Sequence, residues 1–454
     1  MDKKHVDFLM KSVEANRDLM LAAERHIWAN PETGYREWKT TEYLEKEYEK
    51  LGYTLVKAGN IPGFYTDIDT GRPGPKICIM GEMDSLLVSD HPECDKETGA
   101  VHACGHHAQS ASLLGVAATL KMPGVLDNWC GSIRLMAVPA EELIEIGYRE
   151  ELRKKGIIKY FGGKVEFLYR GYYDGVDIAY MVHQGNLPVK GMKFAPGNNG
   201  CITKNINYIG KASHAGGAPH LGINALYAAN LGLQAVNSLR ETFKDNDHIR
   251  FHPIITSGGG AVNTIPHDVK VESYVRGATI EAITEANDKI NRALAGTAAA
   301  MGANVMLSDR PGYLPLNNNK DLTEISVNLM KELIGEENVL VSNDWGTGCT
   351  DMGDISSVMP AIHPHVGGAS GTGHGNDYQI SDPDCAVVLS TKYLVALTDA
   401  LLSNGAEKAN EVIKNAKVLY PDKKDFFAQI DKIFMDKAAV TPTEDGKLVL
   451  DFKK

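Results

Sequence analysis

Residues 75–86 read PKICIMGEMDSL. Ile77 to Met80 form an unbroken apolar run. Such a run marks a strand covered on both faces, as in parallel sheets flanked by helices. Two further stretches have the same character: GSIRLMAVPAEEL at 131–143, stopped by Pro139, and GVDIAYMVHQG at 175–185. SASLLGVAATL (110–120) is small and apolar, as expected of a helix packed under a sheet. Residues 2–50 read as helix interrupted by PETGYRE. VMPAIHPHVGGASGTGHG (358–375) reads as strand plus glycine loop, and CAVVLSTKYLVALTDALL (385–402) as helix. Strands alternating with helices predict an α/β fold with a mostly parallel sheet.

The pattern changes near residue 195. CITKNINYIGKASHAG (201–216) alternates apolar and polar residues, and INALYAANLGLQAVNSL (223–239) follows as a helix. Two strands come next, 249–258 and 269–279, around the glycine-rich GGGAVNTIP, then a helix at 281–301 and a strand at 304–309. This β-α-β-β-α-β order predicts an inserted ferredoxin-like domain over 196–310, long enough to fold as a unit. Residues 1–195 and 311–454 are then expected to form a discontinuous catalytic domain, and the lysine-rich tail after Asn404 receives no function.

Composition narrows the functional classes. The chain has 454 residues and a formal net charge of −11. That charge argues against nucleic acid as the main partner, because binding phosphates needs excess Lys and Arg. No secretory signal is visible, and no uncharged apolar run approaches the ~20 residues that span a bilayer. The seven cysteines are scattered and odd in number, which is no disulfide framework. The expectation is a soluble cytoplasmic protein without membrane or nucleic-acid partners.

In open α/β sheets, ligands bind beyond the carboxyl ends of the strands. Glu82 and Asp84, then Cys104 and His106, follow the first strand; Glu141 and Glu142 follow the second; His183 follows the third; and His374 lies in the last glycine loop. Thiolate, imidazole and carboxylate are donors for zinc and related divalent ions. Taken alone, AVHACGHHAQS (100–110) fits a metal site, a nucleophilic cysteine or a polar turn. No partner base for a nucleophilic Cys104 stands out. Nor does H-x-E precede P-C-x-x-C, as it would in a zinc nucleobase deaminase.

In order, GEMDSL, GAVHACGHHA, VPAEEL, VHQG, SHAGGAPHLGINAL, GGGAVNTIP and the glycine-loop histidine occur over roughly residues 10–400. This set resembles the amidohydrolase branch of the aminoacylase and carboxypeptidase dinuclear metallopeptidase family, which includes hippurate, indole-acetyl-amino-acid and aminobenzoyl-glutamate hydrolases. The resemblance implies two divalent ions, zinc or manganese, on Cys104, His106, Glu142, His183 and His374, with Glu141 as general base. It implies that the inserted domain is a lid that also forms a homodimer. His214 would stabilise the oxyanion in the partner's site, and Asn263 and Arg276 would grip the substrate carboxylate. The implied substrate is an N-acyl amino acid or short peptide. The alternatives are a dipeptidase or aminopeptidase of the same family, or a metal- or ligand-binding protein whose catalysis has lapsed. Three departures stand out: His107 where the family often has Asp, the long aromatic and basic segment 143–177 after PAEE, and the tail beyond Asn404.

Overall fold

A computed structural model describes residues 3–445, 447–450 and 452. They fall into two compact units. The first comprises the residues up to Gly197 with Asn317–Asp344 and Asp354–Pro421; the second comprises Asn198–Leu316, Trp345–Gly353 and the residues from Asp422 onward.

The first unit is a mixed α/β structure. Its main sheet has the order Val56–Lys57, Phe64–Asp69, Ser132–Val138, Lys76–Glu82, Ile178–Tyr180, Ala361–Ile362. The last four of these run parallel, and the first two form an antiparallel edge. From Lys76–Glu82 the chain goes to a neighbour on one side and then to a neighbour on the other. The order therefore reverses at the carboxyl end of this strand, where a crevice opens in such sheets. All but the first residue of Lys76–Glu82 are buried, and the helix His106–Leu120 beneath it is buried along its whole length. Gly81 permits that approach, since a Cβ there would lie 3.2 Å from the helix backbone at Gln109 and Ser110.

Ahead of the sheet, the expected 2–50 helix is three helices, Lys3–Glu14, Arg17–Trp28 and Trp38–Lys50. Helix Asp384–Leu402 is long and apolar enough to cross a membrane, but 89% of its apolar window is buried inside the protein. It is a core helix here.

The second unit has the order strand Gly200–Ile209, helix Ala225–Ser238, strands near 250–257, strand Asp268–Gly277, helix Ile280–Ala300 and strand Asn304–Tyr313. The two helices cover an antiparallel sheet. The single strand expected at 249–258 is split into Arg250–Phe251 and Ile254–Ser257. Pro253 lies in the break and has no backbone N–H to donate. The tail also departs from its expected place in the catalytic domain. Met435–Ala438 pairs antiparallel with Asn304–Tyr313 as an added edge strand, and Asp436 pairs with the guanidinium of the buried Arg310 at 2.8 Å.

Candidate metal centre

Four loops after the parallel strands build the site. Gly105 turns the chain into the helix that begins at His106; its φ of 92° suits only glycine, and a Cβ would meet the Tyr378 hydroxyl at 2.6 Å. Cys104 and His106 are thereby placed beside the strand end at Glu82. Ala140 precedes Glu141 with a φ of 57°, and His374 has a φ of 64°. Left-handed backbone at two non-glycine residues costs about 1–3 kcal/mol each and is concentrated at functional sites. The His374 loop is tied down by its own N–H, which donates to the Ala103 carbonyl at 2.9 Å.

The donor atoms converge. Those of Cys104, His106 and His183 lie within 4.8 Å of one another, and so do those of Cys104, Glu142 and His374. The two triads share the Cys104 sulfur. His183 Nε2 is 3.2 Å from Cys104 Sγ, while its Nδ1 donates to the Gln184 carbonyl at 2.7 Å. His106 Nδ1 faces two acceptors of Asp84, the carbonyl and Oδ1, each at 3.0 Å, so Nδ1 carries the proton and Nε2 faces the cluster. The other Asp84 oxygen accepts from the Glu142 N–H at 2.8 Å. Asp84 thus orients two of the donors, the usual work of a carboxylate behind a metal-binding histidine. His374 Nε2 is 3.4 Å from Glu142 Oε1. Glu141 Oε2 is 4.0 Å from His106 Nε2.

Charge is densely packed around these atoms. Burial pushes the Cys104 thiol well up, and the Glu142 carboxylate adds to the effect. Burial lowers His183 to about 4, with His106 acting in the same direction. For Glu82, burial opposes ionisation, but Lys164 and His106 together hold it well below the usual carboxylate range.

The donor set fits divalent cations. His106 Nε2 and Glu142 Oε1 are buried with no hydrogen-bond partner aligned on them among the described residues, and both belong to the donor cluster. Sulfur, imidazole and carboxylate in two triads suit two ions of the zinc or manganese kind.

His107 does not join this cluster. Its Nε2 sits 3.1 Å from Glu24 Oε1, and its ring lies 4.9 Å from Trp28. Burial keeps His107 below its usual value. His102 is also buried outside both triads.

The remaining candidates lie in the second unit. His214 is exposed, and its Nδ1 accepts from the Gly217 N–H at 2.8 Å, which leaves Nε2 as the outward donor. The Ala215 N–H donates to the Asn263 carbonyl at 2.9 Å, so His214 and Asn263 sit side by side. Arg276 lies across from Cys201 near the opposite end of the ten-residue strand Asp268–Gly277. From Asp268 to Arg276 is roughly 27 Å at strand rise. One copy of this unit brings His214 and Asn263 together and leaves Arg276 apart.

Two residues close around the centre without having been assigned to it from the sequence. Asp84 was legible as a strand-end acid, but its grip on His106 and Glu142 was not. Lys164, completely buried against Glu82, comes from the aromatic and basic segment 143–177.

Over 353 residues the chain is 28% identical to a Xaa-Arg dipeptidase of Mus musculus, covering 76% of this chain and 75% of the relative. It is 26% identical over 316 residues to an N-acetyl-L-cysteine deacetylase of Bacillus subtilis, covering 67% of this chain and 70% of the relative. Its fold is similar to that of a solved dinuclear metal binding peptidase of the M20 family from Bacillus subtilis, with a TM-score of 0.63 at 21% identity over 86% of this chain and 99% of that one. The profile of peptidase family M20/M25/M40 matches residues 78–398, well over half the sequence, and the chain belongs to that family.

Proposed function

We propose that the protein is a metal-dependent amidohydrolase that cleaves the amide bond of N-acyl amino acids or short peptides bearing a free carboxylate. The observation that carries this reading is the pair of donor triads sharing Cys104, with Glu141 beside them. Cys104, His106 and His183 would hold one divalent ion, and Cys104, Glu142 and His374 the other. Such a pair supplies Lewis-acid activation of water and of the scissile carbonyl. Glu141 takes the proton of the attacking water and returns it to the leaving amine, assistance typically worth ~10²–10⁴-fold. Asp84 holds His106 and the Glu142 backbone in place throughout.

Arg276 is assigned to the substrate carboxylate, because a guanidinium can make two parallel hydrogen bonds to it. His214 is assigned as oxyanion donor through Nε2, worth roughly 3 kcal/mol, with Asn263 beside it. The separation of His214 from Arg276 supports a homodimer in which a second copy supplies His214. Two surface features point the same way. Strand Ile254–Ser257 is an exposed edge with Ile254 and Ile255 in solvent, and Tyr227, Leu231 and Val262 are also exposed apolar residues of this unit. The opposite edge is covered by Met435–Ala438.

A dipeptidase is the closest variant, favoured by the similarity to the Xaa-Arg dipeptidase. The test is metal analysis of purified protein with an amine-release screen of N-acyl amino acids and free dipeptides, with and without added Mn²⁺ or Zn²⁺. Metal-stimulated release from the acylated set supports the reading, and preference for free dipeptides moves it to the variant. Absence of both metal and turnover would overturn it.

A further inference from the structure

The stretch Trp345–Gly353 belongs to the second unit, although it lies well along the chain from the rest of that unit's sheet. It runs parallel to the residues just ahead of strand Gly200–Ile209. Asn198 bridges Gly346, the Asn199 N–H donates to the Gly346 carbonyl at 3.0 Å, and Trp345 Nε1 donates to Asn199 Oδ1 at 2.9 Å. Three residues beyond that bridge, on the two segments, stand Cys201 and Cys349.

Cys201 is paired in the sheet on both sides, with Arg276 and with Tyr313. Cys349 therefore meets it through the side chain, on a face of the sheet. Alternation along the strand decides which face. Ile202 and Ile206 pack in the core under the helices, and Lys204 reaches Asn287 and Asn291 of helix Ile280–Ala300, so Cys201 points to the other side. Gly312, the extra residue between the partners Pro311 and Tyr313, leaves the room that its sulfur fills: a Cβ there would lie 2.6 Å from Sγ. The Cys201 thiol hydrogen-bonds Cys349; that bond, with burial, pushes it well up, while Arg276 pulls it the other way. Arg276, directly opposite in the antiparallel pair, shares the same face. A pair of thiols thus stands against the guanidinium assigned above to the substrate carboxylate.

The two sulfurs differ in access: Cys201 is buried and Cys349 is half-buried. An accessible thiol poised beside a resolving one is the arrangement of redox-sensitive cysteines. We propose that Cys201 and Cys349 are a modification site that hydrogen peroxide closes into a reversible disulfide, loosening the grip of Arg276 on substrate. The role of Arg276 rests on the functional reading above; the disulfide does not. Cys349 sulfur attacks a peroxide oxygen, the O–O bond breaks, and the departing hydroxide takes the thiol proton as water, leaving a sulfenic acid. Cys201 sulfur then attacks that sulfur, the S–O bond breaks, and the hydroxide leaves as water with the Cys201 proton. Two electrons pass from the sulfurs to the peroxide, and a dithiol reductant returns them. Closing the bond pulls Cys201 toward Cys349 and so shifts the strand position opposite Arg276.

The test is peptide mapping of metal-loaded protein after peroxide treatment, with kcat and KM measured on the same samples. Wild type should yield Cys201 and Cys349 in one linked peptide pair, about 2 Da below the sum of the two thiol peptides. Its KM for an N-acyl amino acid should rise at least about fivefold, with kcat changed less than about twofold, and dithiothreitol should reverse both the link and the rise. Cys349→Ser should form no link, and its KM should not respond to peroxide, which separates this pair from oxidation at Cys104. Wild type that forms no link, or ends with Cys349 as a sulfinic acid, would overturn the proposal. So would linked protein with the KM of the reduced form. A protein that turns over no amide fails the functional reading instead. The peptide map then still decides the disulfide, and calorimetric Kd for an N-acyl amino acid, expected to weaken at least about fivefold on oxidation, decides its effect.

Discussion

Glu141 sits at the carboxyl end of a buried strand, where an acid facing solvent is not expected, and its oxygen reaches within 4.0 Å of His106. If it is the base, Glu141→Gln should lower kcat by at least ~100-fold while metal content stays at the wild-type level; retained turnover would dismiss it. His107 belongs to the same helix turn and has a different task. Its contact with the buried Glu24 answers whether the departure from Asp adds a ligand: the ring turns toward the N-terminal helix Arg17–Trp28. His107→Asp would set two carboxylates against each other in a buried place, at a cost of about 3 kcal/mol. Thermal unfolding should show that loss, and adding Glu24→Gln should recover most of it. The sequence could not reveal this contact, because Glu24 lies far upstream on a different helix. Of the five candidate metal donors, Glu142 and His183 were legible because each lies just beyond an apolar strand, and Cys104, His106 and His374 because they stand in the HACGH motif and the last glycine loop.

Among elements, the short strand Met435–Ala438 was invisible in the sequence, since MDKA has neither alternation nor bulk. It exists because Asn304–Tyr313 offers a row of unpaired backbone groups and Arg310 offers a buried charge for Asp436. Exposed edges of this kind promote association. A chain truncated after Pro421 should therefore aggregate at micromolar concentration, seen by light scattering, and Asp436→Asn should destabilise the second unit without removing the strand. A truncated chain that stays as dispersed as the full-length one would count against the edge-capping role. The segment 143–177 shows the same limit of sequence reading. Its two helices are short, and the residue that matters, Lys164, is one of several lysines. Only the close seat of Gly163 against Pro139 selects which of them turns inward. The strand interrupted at Pro253, by contrast, could have been foreseen from the missing N–H.

At the scale of the molecule, stability and assembly each make a prediction. Glu24 is held at about 2, since its hydrogen bonds from Arg25 and His107 outweigh the burial that opposes its charge. A depressed carboxylate contributes stability that is fully present above its unfolded value near 4.5 and is lost as pH falls through about 2. The contribution is about 3 kcal/mol. The difference in Tm between wild type and Glu24→Gln should be constant near neutral pH and shrink between about pH 4.5 and 2; a difference independent of pH would contradict the assignment. For assembly, inactive His214→Ala and Cys104→Ala proteins should regain activity when mixed under conditions that exchange subunits, because one mixed site keeps both residues. No recovery despite exchange would show that His214 does not act across a dimer. The central claim is that Cys104 joins two cation sites. Anomalous diffraction from Mn²⁺- or Zn²⁺-loaded crystals tests it most directly. The account predicts two peaks about 3.5–4 Å apart, one against His106 and His183, the other against Glu142 and His374, with the Cys104 sulfur between them; a single peak, or peaks away from Cys104, would contradict it.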